Sequence, residues 1–279
     1  MAMLAVALFA AAVALVVWAM SSASSVGSLE HEEVSAFSHI RIRRAGDVRA
    51  LTFVRDNGQE AVQSRLNLTE PHTLMSPYAR GMFASYLYQP QPRRVLIVGL
   101  GGGAMVRFLT HHEPQVHIDA VEIDPAVVRL ADKYFDVRSG GNVRVHTADA
   151  VKFVESTADR YDLILMDAFL RPSSDTDTTG VPTRLKTLAF LGRLKQALAP
   201  GGVVAFNVNE HASMADDIAA VAAAFGHVAV YRCPPSDNKV LIATESGLAT
   251  DDEMRARVDA LDARFGGALS FADLVRNRA

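Results

Sequence analysis

The chain has 279 residues, 49% of them hydrophobic, with a formal net charge of −3 and one cysteine. That length accommodates one large α/β domain with a smaller attachment, not two full domains. The charge excludes a protein held to nucleic acid by bulk electrostatics, and the lone Cys233 excludes an intrachain disulfide or a cysteine-rich zinc site.

In chain order, Ala2 to Met20 comes first, an apolar run without a charge and with Trp18 near one end. As a helix it is long enough to cross a bilayer core, so residues 1–27 read as a transmembrane helix and a Ser-rich linker, making a single-pass membrane protein. A cleaved signal peptide competes, because Ser21 to Ser25 offers small residues, but no Lys or Arg precedes the run. The acidic flank Glu30, Glu32, Glu33 leaves orientation to chemistry, and an intracellular ligand requires the catalytic domain to face the cytoplasm. Next, His39 to Arg44, Val48 to Val54 and Ala61 to Leu68 alternate apolar and polar residues around turn signals, which predicts a small antiparallel β-unit. The cluster Arg41, Arg43, Arg44 reads as the solvent face of a strand. Pro77 to Tyr88 has an aromatic-rich helical pattern, and Gln89-Pro90-Gln91-Pro92 marks a boundary. The N-terminal unit with its connecting helix therefore spans 28–90, and a nucleoside-binding catalytic domain spans 91–279.

From there strands and helices alternate, which implies a parallel sheet covered on both faces. Val95 to Val98 leads to a helix through His111, Val116 to Val121 to a helix Pro125 to Tyr134, and Val143 to His146 to Ala150 to Glu155. Tyr161 to Met166 leads through a loop to a helix Thr183 to Leu198, and Gly202 to Val208 leads to Met214 to Phe225. Two successive strands, Val228 to Arg232 and Val240 to Thr244, precede an amphipathic segment Asp251 to Phe265. Five strand and helix pairs closed by a hairpin match a methyltransferase-type, Rossmann-like fold.

The most informative stretch is the turn after Val98, where Gly99, Gly101, Gly102 and Gly103 let the backbone bend sharply and approach a ligand. The following helix points unpaired N–H groups at it. Glu122, about twenty residues on at the tip of the next strand, is placed to accept both ribose hydroxyls, so strand, turn, helix and acid together predict a nucleoside site. Asp149, just past another strand, sits at the same sheet edge and also reads as the N-cap of the helix at Ala150.

Several motifs then converge. The three-stranded N-terminal unit, N-L-T-E at Asn67 to Glu70, Tyr78, the glycine turn, V-E-I-D at Val121 to Asp124, T-A-D-A at Thr147 to Ala150, and D-L-I-L-M-D ending at Asp167 together resemble the spermidine synthase (polyamine aminopropyltransferase) family. The likeness runs from about Ser35 to about Thr244. It implies a mostly parallel seven-stranded sheet, decarboxylated S-adenosylmethionine as co-substrate, transfer of its aminopropyl group to an amine acceptor in polyamine biosynthesis, and a homodimer. By the same resemblance Gly99, Gly101 and Gly103 line the sulfonium nucleoside, Glu122 holds its ribose, and Asp149 with Ala150 meets the adenine. Tyr78 walls the substrate pocket, and Asp167 takes the proton of the attacking amine. No metal is expected, since the histidines show no convincing ligand spacing.

Three departures set limits on that likeness. Gly102 stands where the family carries an acid, Leu170 replaces the second acid of the loop after Asp167 with Arg171 beside it, and Pro234 replaces a tyrosine. Each loss removes negative charge or an acceptor from a pocket built for a polycation, so the resemblance does not by itself carry ordinary putrescine binding over to this chain. Glu70, His72, Asp175 and Asp177 are the candidates for replacement charge, provided the Ser-Asp-Thr loop folds over the site. Two other readings stay open: an S-adenosylmethionine-dependent methyltransferase on the same sheet, and a non-catalytic nucleoside-binding module.

Overall fold

The computed structural model describes residues 27–279. The run Ala2 to Met20, read above as a membrane helix, lies outside the described residues. Among those residues no helix is long and apolar enough to cross a membrane. The Ala-rich helix Met214–Phe225 has 12 residues, about 18 Å at 1.5 Å per residue against a hydrocarbon core of about 30 Å. The expectation of a single-pass membrane protein with a cytoplasmic catalytic domain thus finds no support among the described residues and is not carried further, and no membrane partner is assigned.

The N-terminal unit is a four-stranded antiparallel sheet of β1 (Ser28–Val34), β2 (His39–Ala45), β3 (Val48–Val54) and β4 (Glu60–Asn67), in that spatial order. Three of these strands were expected. The additional one, β1, carries no alternating apolar signal because charge holds it. Glu30 pairs with Arg49 at 2.6 Å, Glu32 with Arg41 at 2.8 Å, and Glu33 with Arg129. The acidic run that resembled a membrane flank is thus the pairing partner of the arginine-bearing strands. Glu60 closes the same network, bonded to Arg43, Arg41 and the Thr52 hydroxyl, and the Arg43 guanidinium above all pulls its carboxyl down to about 2. On the opposite face Ile40, Ile42, Leu51 and Phe53 pack against Val127, Leu130 and Phe135 of the helix Pro125–Phe135. That contact docks the small sheet over the large one.

The large sheet contains β5 (Arg94–Val98), β6 (His117–Glu122), β7 (Val143–Thr147), β8 (Tyr161–Met166), β9 (Leu198–Val208), β10 (His227–Cys233) and β11 (Ser236–Thr244). Its order is β10-β11-β9-β8-β5-β6-β7, with β11 antiparallel to both neighbours and the remaining pairs parallel. This is the expected α/β methyltransferase-type arrangement. Chain order reverses between β5 and β8, which opens a crevice at their carboxyl ends.

Two expected helices are broken. Thr183 to Leu198 divides into a 3-10 turn, Thr183–Lys186, and a helix, Leu188–Ala197, because Thr187 is extended and its hydroxyl accepts from the Phe190 N–H at 3.2 Å. Pro77 to Tyr88 is a helical turn, Pro77–Met82, followed by a 3-10 segment, Phe83–Leu87, whose five residues are all buried. A further helix, Phe271–Arg276, starts at the Ser270 cap and brings Phe271 beside Tyr86 and Phe265, so the C-terminal end seals the core beneath the sheet.

The Glu60 network makes a testable claim about acid stability. Because its folded-state carboxyl titrates at about 2, below the ordinary 4.5, its contribution is complete above about 4.5 and is lost as pH falls toward about 2. Glu60→Gln is expected to be less stable than the parent by urea unfolding at pH 7, with the gap closing as pH falls through that window. A gap that is the same at every pH would show that the charge of Glu60 contributes nothing.

Candidate active site

The glycine turn leaves β5 under a tight steric constraint. Gly99 has φ +93°, and a Cβ there would fall 2.2 Å from the carbonyl oxygen of Asp167. The two turns, after β5 and after β8, thus touch backbone to backbone, and the Asp167 N–H donates to the Val98 carbonyl at 2.8 Å. Gly103 has φ +66° and supplies the left-handed residue before the helix Ala104–His112.

Glu122 ends β6 with its side chain buried, 8% exposed. The Leu100 N–H donates to Oε2 and the Asp124 N–H to Oε1, each at 3.0 Å. Burial pushes this carboxyl above its ordinary range, and those backbone donors oppose the shift. Each oxygen keeps a free lone pair for a ligand hydroxyl. Asp124 caps the helix Pro125–Phe135 through the Ala126 N–H at 2.9 Å and accepts from Ser35 at 2.5 Å, tying the small sheet to the turn.

Two cavities flank Gly99 and Glu122. One reaches Asp149, Ala150, Ala168, Phe169 and Arg184. There Asp149 acts as the helix cap, accepting from the Val151 N–H at 2.9 Å, and its other oxygen is ion-paired with Arg184. The second runs past Gln63, Ser64, Ser76 and Tyr78 to Asp167, with Gly101 and Gly103 in its wall. No acid fits at Gly102 in this packing, since a Cβ would lie 2.8 Å from the Ser64 hydroxyl and 2.9 Å from the Phe135 ring. Its carbonyl instead accepts from the buried Arg107, whose guanidinium also donates to the carbonyls of Pro71 and Phe135.

Asp167 lines the second of these cavities, and its hydrogen-bond partners Tyr78 and Asn207 line a third, larger one of about 710 Å³. The Asn207 amide donates to Oδ1 at 2.8 Å and the Tyr78 hydroxyl to Oδ2 at 3.2 Å. Desolvation raises its carboxyl to about 7 despite these two donors. Asn207 is held in turn by Asn238, which donates to Asn207 at 3.0 Å and to Asn209 at 2.6 Å. Asn207 and Asn238 were not among the expected site residues, although a lone Asn in the apolar strand Val203 to Val208 is a readable sign of a buried polar contact.

The candidates for replacement charge lie elsewhere. Glu70 is exposed, accepts weakly from Thr73 at 3.4 Å, and lines none of these three cavities. His72 stacks on His111 at 4.0 Å, and Asp175 is exposed. Asp177 is bound to Lys186, which also contacts Asp217 at 2.6 Å, with His211 on Asp217 at 2.8 Å. Asp177, His211 and Asp217 bring ligand atoms within 4.8 Å of one another. The Lys186 ammonium already occupies the cationic position among them.

With this geometry in hand, relatives become informative. The family model for the spermine/spermidine synthase domain matches residues 82–246. A polyamine aminopropyltransferase of Vibrio vulnificus is 31% identical over 236 residues, covering 83% of this chain and 77% of that protein. Another from Chromobacterium violaceum is 30% identical over 87% of this chain and 90% of its own. The solved structure of human methyltransferase-like protein 13 in complex with SAH is 26% identical and superimposes with a TM-score of 0.62 over 68% of this chain and 92% of that one.

The Asp167 environment predicts a pH profile. A base that titrates at about 7 is protonated and idle below that pH, so kcat/KM is expected to fall on the acid side with an apparent pKa near 7. Asn207→Ala removes a donor to the ionised form and is expected to move that limb to higher pH. An unmoved limb would assign it to another group. For stability the sign is opposite to that of Glu60: the folded carboxyl is raised from 3.8 to about 7, so stability is lost as pH rises through that interval. Asp167→Asn is expected to gain on the parent between pH 4 and 7 in urea unfolding. On the match across residues 82–246 and the two aminopropyltransferase relatives, the chain belongs to the spermidine synthase family.

Proposed function

We propose that this protein is an aminopropyltransferase that moves the aminopropyl group of decarboxylated S-adenosylmethionine to an amine, the reaction for which its polyamine aminopropyltransferase relatives are named. The observation that carries the reading is the position of Asp167, a desolvated carboxylate in the wall of the cavity beside the glycine turn, bonded to Tyr78, which also lines the larger neighbouring cavity. In this reading Gly99, Gly101 and Gly103 form the turn beneath the nucleoside, Glu122 accepts the ribose hydroxyls, and Asp149 and Ala150 border the adenine. Asp149 has to leave Arg184, or share it, to accept from the base. Residues 28–90 act as the lid on the acceptor side, and 91–279 as the nucleoside-binding domain.

Transfer is an in-line displacement at carbon. The amine lone pair forms the C–N bond while the C–S bond breaks, its electron pair passes to sulfur, and the sulfonium becomes a neutral thioether. The leaving group needs no acid. The nitrogen must arrive unprotonated and aimed, and Asp167 is placed to take its proton while Tyr78 and Asn207 hold the carboxylate still.

One observation favours a methyltransferase as the second reading. With Gly102 closed to an acid, the donor's tail pocket is lined by the neutral Gln63, Ser64 and Ser76, and the carboxylates of that cavity are Asp167 and Glu122, the latter assigned to the ribose. The expected homodimer has nothing in its favour beyond exposed Leu29 and Val34 on the edge strand β1, and is set aside.

Isothermal titration of the full chain with intact and decarboxylated S-adenosylmethionine separates the readings. Tighter binding of the decarboxylated form is expected, and preference for the intact form would overturn aminopropyl transfer in favour of methyl transfer. Glu122→Ala is expected to weaken nucleoside binding at least about tenfold, the scale of one lost charge-assisted contact. Unchanged affinity would remove Glu122 from the ribose site.

A further inference from the structure

On the reading of Asp167 as the base, the reaction depends on which end of the Asn207 amide faces it. An ionised carboxylate only accepts, so Asn207 favours that form through its N–H2 group and would oppose it through its carbonyl. The N–H2 group is the end that faces Asp167 Oδ1, at 2.8 Å, and it draws the carboxyl down against the effect of burial. The Tyr78 hydroxyl is a less committed donor. Its single proton has two acceptors in reach, Asp167 at 3.2 Å and the Gln63 carbonyl at 3.4 Å.

What fixes the Asn207 amide lies on another strand. β11 runs antiparallel to β9 with Val240 opposite Asn207 and Lys239 opposite Val208. Asn238 therefore falls opposite Asn209, and the two-residue period puts all three asparagines on one face. There the Asn238 amide donates to Asn207 Oδ1 at 3.0 Å and to Asn209 Oδ1 at 2.6 Å, which uses both of its hydrogens. Its own Oδ1 accepts from the Ser236 hydroxyl at 2.9 Å. Every donor along Ser236, Asn238 and Asn207 thus points toward Asp167. Turning the Asn207 amide over would set N–H2 against N–H2 at one end and oxygen against oxygen at the other, and Asn207 is buried, where unmade hydrogen bonds cost most. The neighbouring ionisable groups do not supply this orientation. Tyr78 and Glu122 share the cavity of Asp167. Lys186, Asp177, Asp217 and His211, beside Asn207 and Asn209 in a fourth cavity, are bound to one another. Arg55, Arg65, Arg171, Glu210 and Asp237, around the larger cavity, are exposed. Among the described residues the Asn207 side chain bonds to Asp167 and Asn238 alone.

We propose that Asn238 is a positioning residue of the reaction, which from β11 fixes the Asn207 amide with its N–H2 group toward Asp167 and so sets how readily the base ionises. Asn238 acts through Asn207, not on the substrate. Without its donor Asn207 is free to turn its carbonyl toward Asp167, an arrangement that suits only the protonated acid, whose O–H can donate. Loss of Asn238 therefore shifts the titration of Asp167 to higher pH.

The full chain, labelled with carbon-13 at its aspartate carboxyls, is titrated by NMR, with the Asp167 signal identified by its loss in Asp167→Asn. From about 7 in the parent, the midpoint is expected to rise by at least about half a pH unit in Asn238→Leu, which keeps the shape of the side chain and loses the donor. A larger rise is expected in Asn238→Asp, whose carboxylate accepts from the Asn207 N–H2 group and turns it away from Asp167. In the Asn207→Leu background Asn238→Leu is expected to add nothing, and the rise from Asn238→Asp to shrink to what the added charge alone produces. The acid limb of kcat/KM is expected to move in the same order. A midpoint that stays in place in both variants overturns the inference, as does an Asn238→Leu rise that persists without Asn207. A midpoint that rises while the kinetic limb stays fixed overturns instead the role of Asp167 as the base.

Discussion

Much of this molecule depends on one backbone contact, that between Gly99 and Asp167. Neighbouring parallel strands β5 and β8 end side by side, with Val98 opposite Met166, and the chain must leave both at the same edge. A Cβ at Gly99 would lie 2.2 Å from the Asp167 carbonyl, so only glycine lets the two exits pass at this distance. The consequence is chemical as well as steric. The turn proposed to approach a nucleoside and the strand end that carries the proposed base are locked to one another, backbone against backbone.

Around that contact the polar groups form a supported set. Tyr78, from the segment joining the two sheets, and Asn207, from β9, meet on Asp167, and Asn238 of β11 holds Asn207 in turn. Their donors keep an ionised carboxylate tolerable in a desolvated place, and without them burial would hold its proton still more tightly. The small sheet contributes by docking. Its apolar face on Leu130 and Phe135, with the Ser35 to Asp124 hydrogen bond, carries Gln63, Ser64 and Arg65 to the wall of the site.

The charge distribution then separates two halves of the function. Beside the glycine turn stand two acids, Glu122 buried under two backbone N–H groups and Asp149 at a helix cap. The larger cavity mixes exposed arginines, Arg55, Arg65 and Arg171, with the exposed acids Glu210 and Asp237. Likeness to aminopropyltransferases and likeness to a methyltransferase fold thus draw on the same architecture of crevice and turn, while the departures from the family pattern fall both in that turn, at Gly102, and in the loop after Asp167, at Leu170.

The sequence by itself determined the strand order class, the glycine turn, the place of Glu122 and Asp149 at the same sheet edge, and the family, because each is encoded in short contiguous patterns: an apolar strand, glycines, and an acid at a strand tip. It also showed which acids are missing, at Gly102 and Leu170. Only the tertiary structure decided the rest. Strand β1 escaped notice because cross-strand ion pairs, not alternating apolar residues, hold it in place. Glu70 and Asp177 looked equally able to replace a lost charge, yet one faces solvent and the other is bound to Lys186, a distinction that rests on contacts far apart in the chain. The same holds for Asn207 and Arg65. Their positions follow from sheet pairing and docking, long-range packing that no local pattern records.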